Sequence, residues 1–138
     1  MNESVTYSVV PRINPAKPQL PVLFYAMAQA RGVADIRTLS DRINGMCTVT
    51  YTDVIAVLSA LETIMAKCLL NGEIVRLGEF GSFQVSISSA GTQTREGFNA
   101  TFIRSARFLF RPGVLLAAAL KIIRYEQVPI RYRRRKVI

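Results

Sequence analysis

The apolar residues of this chain change period at Gly72, and that switch restricts the folds open to it. Upstream, Val54, Val57, Leu58, Leu61, Ile64, Met65, Cys68 and Leu69 recur at three- and four-residue spacing, which predicts one long helix. Thr50, three residues before Asp53, offers a capping-box-like start, and Asn71-Gly72 a stop. Downstream the period is two. Ile74-Val75-Arg76-Leu77 reads as a short strand, Gly78 to Gly81 as a turn, and Phe83, Val85 and Ile87 alternate with Ser82, Gln84, Ser86 and Ser88. A second alternating run covers Phe98 to Phe110, and the residues between the two, SAGTQTREG at 89–97, are small and polar enough for a hairpin tip. Arg111-Pro112-Gly113 breaks that run, and Val114 to Ile123 reads as a terminal helix with Leu115, Leu116, Ala119, Leu120 and Ile123 available for packing. The order predicts an α+β fold, in which helices pack on a three-stranded antiparallel sheet that carries a hairpin arm.

Ahead of the long helix, Asp35 as a cap, Ile36, Leu39 and Ile43 at helical spacing, and Asn44-Gly45 as a left-handed stop predict a short one. Ile55 and Ala56 add apolar surface beside the stripe of the long helix, more than one packing layer uses, so a second chain is expected to cover it. Val5 to Val10 alternates like a strand, and the prolines of INPAKPQLP (13–21) predict an extended linker. Val22 to Ala30 is apolar on every face; periodicity does not separate strand from helix there, and a strand is the expectation. The chain thus divides into an N-terminal extension (1–34), a central domain (35–125) and a basic tail (126–138) that Pro129 interrupts and that is expected to be extended or disordered.

Of 138 residues, 18 are Lys or Arg and 9 Asp or Glu, a net charge of +9 that predicts a polyanionic partner. Residues 1–103 hold eight basic and eight acidic residues; residues 104–138 hold ten basic residues and only Glu126. The chain has no histidine, which removes the commonest general base and the commonest metal ligand. Its two cysteines, Cys47 and Cys68, are too few for a disulfide framework or a four-ligand zinc site and read as reduced, partly buried thiols. Residues 1–20 lack the apolar stretch of a secretory signal, and VLLAAAL (114–120) is far short of the roughly 20 residues of a membrane span. A cytoplasmic protein is expected, with no membrane, small-molecule substrate or cofactor among its partners.

The strings VRLGEFGSF (75–83) and FRPG (110–113), set in this element order, resemble the HU and integration-host-factor family of bacterial histone-like DNA-binding proteins. Val75, Leu77, Phe80, Gly81, Ser82 and Phe83 fit the family's V-x-L-x-x-F-G-[TS]-F pattern, and Phe110 and Gly113 its F-x-x-G turn; the likeness covers roughly residues 35–123. The N-terminal extension, with YSVVPRINPAKP at 7–18, is similar to an extended branch of that family. The resemblance implies an intertwined homodimer whose helices form a base, whose sheets form a saddle, and whose hairpins are arms entering the minor groove. Bending members carry a basic arm with an Arg-Asn-Pro tip. Here residues 89–97 contain no proline and only Arg95, beside Glu96, and Val114 stands where many members place lysine.

From the residues themselves, phosphate binding requires clustered cations in no particular order. Alternation puts Arg107, Leu109 and Arg111 on one strand face and Arg104 on the other. Lys121 and Arg124 follow, and Arg131, Arg133, Arg134, Arg135 and Lys136, with Tyr132 interleaved, form a run able to track a nucleic-acid backbone. With Arg95 these are the candidate DNA-binding residues. Phe83, Phe98, Phe102, Phe108 and Phe110, at alternating strand positions, are expected in the core rather than stacked on bases. Glu73 and Glu79 lack the surroundings of an acid–base site, so no enzyme is expected. The sequence predicts a homodimeric, nucleoid-associated protein that binds duplex DNA with little sequence specificity. The runners-up are an interaction protein that keeps the fold without bending DNA, and an RNA-binding variant using the same cations.

Overall fold

Asp35 begins the ordered core of the predicted helices: its carboxylate accepts from the Thr38 backbone N–H at 2.8 Å and caps α1 (Ile36–Asn44). The computed structural model describes residues 3–130, in two compact units: Asp35–Lys121, and the residues up to Ala34 together with those from Ile122.

In the Asp35–Lys121 unit, α1 closes at Gly45 with φ −70°, right-handed rather than in the predicted left-handed stop, because the Gly45 N–H reaches the Asp41 carbonyl at 3.1 Å and continues the helical ladder. α2 spans Tyr51–Leu70; the Thr50 hydroxyl donates to the Asp53 carboxylate at 2.6 Å and accepts from the Asp53 N–H at 3.3 Å. It packs along α1 and against β3 (Val75–Arg76) and β4 (Gly81–Ser89). After the arm tip comes a 3₁₀ turn, Ala100–Phe102, then β5 (Ile103–Pro112) and α3 (Val114–Lys121). The sheet order is β3-β4-β5, antiparallel throughout, with Phe83 opposite Phe110 and Val85 opposite Phe108.

Three local expectations shift. The strand predicted from Phe98 starts at Ile103, because Asn99 caps the 3₁₀ turn by accepting from the Thr101 N–H at 2.9 Å. It continues through Pro112, which pairs with Gly81, so the proline ends the strand instead of being excluded from it. α3 stops at Lys121, short of Ile123.

The other unit is a second three-stranded sheet, where the sequence alone predicts strands without a partner. β1 (Ser4–Arg12) is its centre, antiparallel to β2 (Leu23–Ala28), as the strand reading of Val22 to Ala30 expected, and parallel to β6 (Arg124–Gln127). The sequence places residues 124–127 at the end of the central domain and the start of an extended or disordered tail; instead they pair with β1, Ser4 opposite Arg124 and Tyr7 opposite Gln127. The pairing is extended by Val128 N–H to the Tyr7 carbonyl and by the buried Ser8 hydroxyl to the Val128 carbonyl, both at 2.8 Å. Arg31 joins the Glu126 carboxylate at 2.9 Å and the Ser4 hydroxyl at 2.7 Å.

Little of the apolar surface is buried within one chain. Val54 and Leu69 are the only buried large apolar residues among those described. Val57 and Ile64 on α2 and Leu115 and Leu120 on α3 stay more than half exposed. The core assignment of the phenylalanines is corrected accordingly: Phe83 and Phe102 are half-buried, but Phe98, before β5, and Phe108 and Phe110, within it, are exposed.

Candidate nucleic-acid interface

Two glycines fix the sheet that presents the cations. A Cβ on Gly81, whose φ is +150°, would lie 2.4 Å from the Arg111 carbonyl oxygen and 2.6 Å from the Phe110 ring; one on Gly113 would lie 2.3 Å from the Glu79 carbonyl oxygen. Gly113 N–H donates to the Phe80 carbonyl at 2.9 Å and Leu115 N–H to the Glu79 carbonyl at 3.1 Å, so the turn before β4 is stitched to the turn after β5. Phe110 packs at the same junction, its ring centroid 4.8 Å from Phe83 and 5.6 Å from Phe80. The spacing of the VRLGEFGSF and FRPG strings follows from this contact.

Residues directly opposite in an antiparallel pair point to the same face. Arg76 is opposite Ser82, and Ser82 opposite Arg111, so these three form a row across β3, β4 and β5. Along the same face run Gln84 opposite Leu109, Ser86 opposite Arg107, and Ser88 opposite Ser105. The predicted sharing of one face by Arg107, Leu109 and Arg111 is therefore what the register gives. None of the three strands contains an acidic residue. Arg76, Arg107 and Arg111 are exposed and, among the described residues, none is in an ion pair. Arg107 and Arg111 are four strand positions apart, about 13 Å, far enough to meet separate phosphates. The face is thus a line of guanidinium groups among hydroxyl and amide donors.

Arg104 behaves differently from its predicted place on the opposite face. The register slips between Ser88, paired with Ser105, and Ser89, paired with Ile103, leaving Arg104 as the extra residue of a β-bulge; simple alternation no longer assigns it a side. Arg95 lies exposed at the arm tip, its carbonyl accepting from the Phe98 N–H at 3.2 Å. The tip is bound mainly to itself, by the Thr92 hydroxyl to the Thr94 carbonyl at 2.8 Å and the Gly97 N–H to the Thr94 hydroxyl at 3.2 Å, with Phe98 stacked 5.7 Å from Phe102. Lys121 is exposed at the end of α3, and Arg124 belongs to the other unit, in β6. Arg131, Arg133, Arg134, Arg135 and Lys136 lie outside the described residues.

Sequence reasoning missed Arg76. Its signal was available in the strings already singled out: pairing the strand at Val75 antiparallel to the one after Gly81 puts Arg76, and not Val75, on the serine face.

Other chemistry is sparse. Cys47 is exposed, not partly buried as expected, while Cys68 is half-buried; the carboxylate of Glu73 accepts from the Cys68 thiol and pushes its pKa up, which keeps the thiol protonated and a weak nucleophile. Among the described residues no group of three or more Cys, Asp or Glu converges to hold a metal, and no helix is long and apolar enough to cross a membrane.

Comparison with known proteins adds three findings. Residues 4–127 match the family HU-HIG, described as an HU domain fused to wHTH, Ig, or glycine-rich motif. No curated protein matches the sequence. A crystal structure from Bacteroides vulgatus ATCC 8482, of a chain provisionally named a bacterial DNA binding protein, is similar with a TM-score of 0.61 and 17% identity, over 96% of this chain and 51% of that one. At that identity the likeness is one of fold, and this chain spans about half the length of the other.

Proposed function

The chain belongs to the HU-HIG family, and on that premise we propose that it is a DNA-binding protein that grips duplex DNA with little sequence specificity, as a homodimer, through the serine–arginine face of its β3-β4-β5 sheet. The observation that carries this reading is the row Arg76, Ser82 and Arg111 continued by Ser86 and Arg107: exposed cations and donors on strands free of carboxylates, which suit phosphate oxygens and no particular base. Selectivity in this reading comes from DNA shape and deformability. Arg104, Lys121 and Arg124 add positive charge, and the run Arg131, Arg133, Arg134, Arg135 and Lys136 supplies a further electrostatic contact. The protein performs no covalent chemistry and works in the cytoplasm, on the nucleoid.

The homodimer is supported by the exposed apolar residues Val57 and Ile64 on α2, Phe108 and Phe110 on the sheet and Leu115 and Leu120 on α3, more apolar surface than a monomer leaves in water. The arm tip favours phosphate contact without strong kinking: it has no proline, and its one cation, Arg95, is next to Glu96. That same weakness supports the second reading, an HU-fold interaction protein without DNA bending.

The test is a salt titration of duplex binding by fluorescence anisotropy. Replacing Arg107 and Arg111 by alanine is expected to make the slope of log K against log salt shallower by about 1.8 for each protomer in contact, at about 0.9 per phosphate. An unchanged slope rejects the sheet face, and no duplex binding by the unaltered protein favours the interaction reading. Competition with duplex RNA of equal length separates DNA from RNA as the partner.

A further inference from the structure

The balanced charge of residues 1–103 conceals an uneven distribution. Between Glu3 and Asp35 there is no acidic residue, while Arg12 and Lys17 both lie where the β1–β2 hairpin turns. Arg12, opposite Leu23, is the last paired residue of β1. The connection that follows is built, not loose. Lys17 N–H donates to the Asn14 carbonyl and Leu20 N–H to the Lys17 carbonyl, each at 3.1 Å, which makes two successive β-turns with Pro15 and Pro18 at their second positions. Proline presets φ there and suits that position. The Asn14 side-chain oxygen accepts from the Ala16 N–H at 3.0 Å and pins the first turn.

The hairpin end is rigid yet wholly exposed: every residue from Pro11 to Ala28 is open to solvent. The Arg12 guanidinium lies 5.9 Å from the centroid of the Tyr25 ring, which holds the charge in place without neutralising it. Lys17 is in no ion pair among the described residues. Beneath the turns, Arg12, Pro15, Leu20, Pro21, Leu23 and Tyr25 wall an open hollow of about 580 Å³.

We propose that the end of the β1–β2 hairpin is a second duplex-binding surface, at which Arg12 and Lys17 neutralise backbone phosphates and the ridge of Pro15 and Pro18 rests against the sugars. The proposal rests on the DNA-binding reading above and adds a contact from the other unit of the chain. A preset tip loses little conformational entropy on binding. A two-stranded ribbon is also narrow enough to enter a groove. An acidic peptide satisfies the same two cations only in a matched register. A duplex, with one phosphate charge per about 1.7 Å of its axis, satisfies them in any.

The experiment is anisotropy on the full chain with duplex DNA across a range of salt, comparing Lys17→Gln, Arg12→Gln with Lys17→Gln, and Arg107→Ala with Arg111→Ala. Lys17 is exposed and outside any ion pair among the described residues, so its replacement is expected to leave the fold intact, and circular dichroism checks the double variant. The expected result is a slope shallower by about 0.9 for Lys17→Gln and about 1.8 for the pair, for each protomer in contact, with binding at physiological salt weaker by roughly tenfold or more for the pair. A slope unchanged in both hairpin variants but lowered in the sheet variant overturns the hairpin contact and leaves the sheet reading standing. An unchanged slope together with lost binding to a polyglutamate peptide assigns the hairpin to an acidic protein and also overturns it. Absence of duplex binding by the unaltered chain overturns both readings.

Discussion

Gly81 and Gly113 are the residues on which the cation-bearing sheet turns, because each sits where a side chain has no room. Alanine at Gly81 must adopt φ +150° and displace the Arg111 carbonyl, and alanine at Gly113 must displace that of Glu79. The Arg111 carbonyl belongs to a paired strand and the Glu79 carbonyl is held by the Leu115 N–H, so neither swings away as a lysine end can, and each substitution is expected to cost about 2 kcal/mol or more in chemical denaturation. A second residue-scale prediction concerns Asp35. The Thr38 backbone N–H first, and the Thr38 hydroxyl second, hold its carboxyl below the ordinary value of 3.8. A depressed folded-state pKa contributes stability that is present above the unfolded value and is lost as pH falls through the folded one. Stability measured against pH should therefore decline below about pH 4 in the unaltered chain, and Asp35→Asn should remove part of that decline. A variant with an undiminished acid-side slope counts against Asp35 as its source. Both sites were legible as residue types: a capping residue before an apolar period, and glycines beside aromatics. The reason for Gly113 was not, since its neighbour Glu79 is 34 positions away and only pairing brings them together.

At the scale of elements, legibility followed how local the determining interaction is. α1 and α2 were readable because caps and apolar spacing lie within each helix, and β4 because strict alternation meets a turn. β6 was unreadable: Arg124-Tyr125-Glu126-Gln127 has no apolar alternation, and what makes it a strand is a parallel partner, β1, about 120 residues earlier. The start of β5 was misplaced because alternation happens to run on through Phe98 and Phe102, whereas Asn99 has already turned the chain. The candidate site divides in the same way. Arg107 and Arg111 came from the parity of one strand; Arg76 needed the register of two, and the bulge that frees Arg104 from strict parity is a mismatch between two strands that neither shows alone. If the row across the sheet is the contact surface, Arg76→Gln should make the salt slope shallower by about 0.9 for each protomer in contact, as much as either β5 arginine alone. An Arg76 variant indistinguishable from the parent would confine the contact to β5.

At the scale of the whole molecule, the exposed apolar surface and the basic carboxyl-terminal run each call for something beyond one folded chain. A chain that buries only Val54 and Leu69 among its large described apolar residues leaves apolar surface that the proposed second copy would cover. Its melting temperature should then rise with protein concentration, because association stabilises by mass action. Ile64→Asp, at an exposed position on α2, should lower melting and shift sedimentation toward the monomer. A concentration-independent Tm with a monomeric mass would reject the dimer. The basic run is tested by truncation, and the fold dictates where to cut. Removal from Glu126 would take half of β6 and the Val128 carbonyl that satisfies the buried Ser8 hydroxyl, confusing lost charge with lost structure. Ending the chain at Ile130 keeps the sheet and removes only Arg131, Arg133, Arg134, Arg135 and Lys136 among charged groups. With all five on phosphates the slope should become shallower by about 4.5 for each protomer in contact, and with some in solution by less. An unaltered slope at unaltered Tm would show that the run meets no phosphate, and that residues up to Ile130 hold the duplex without it.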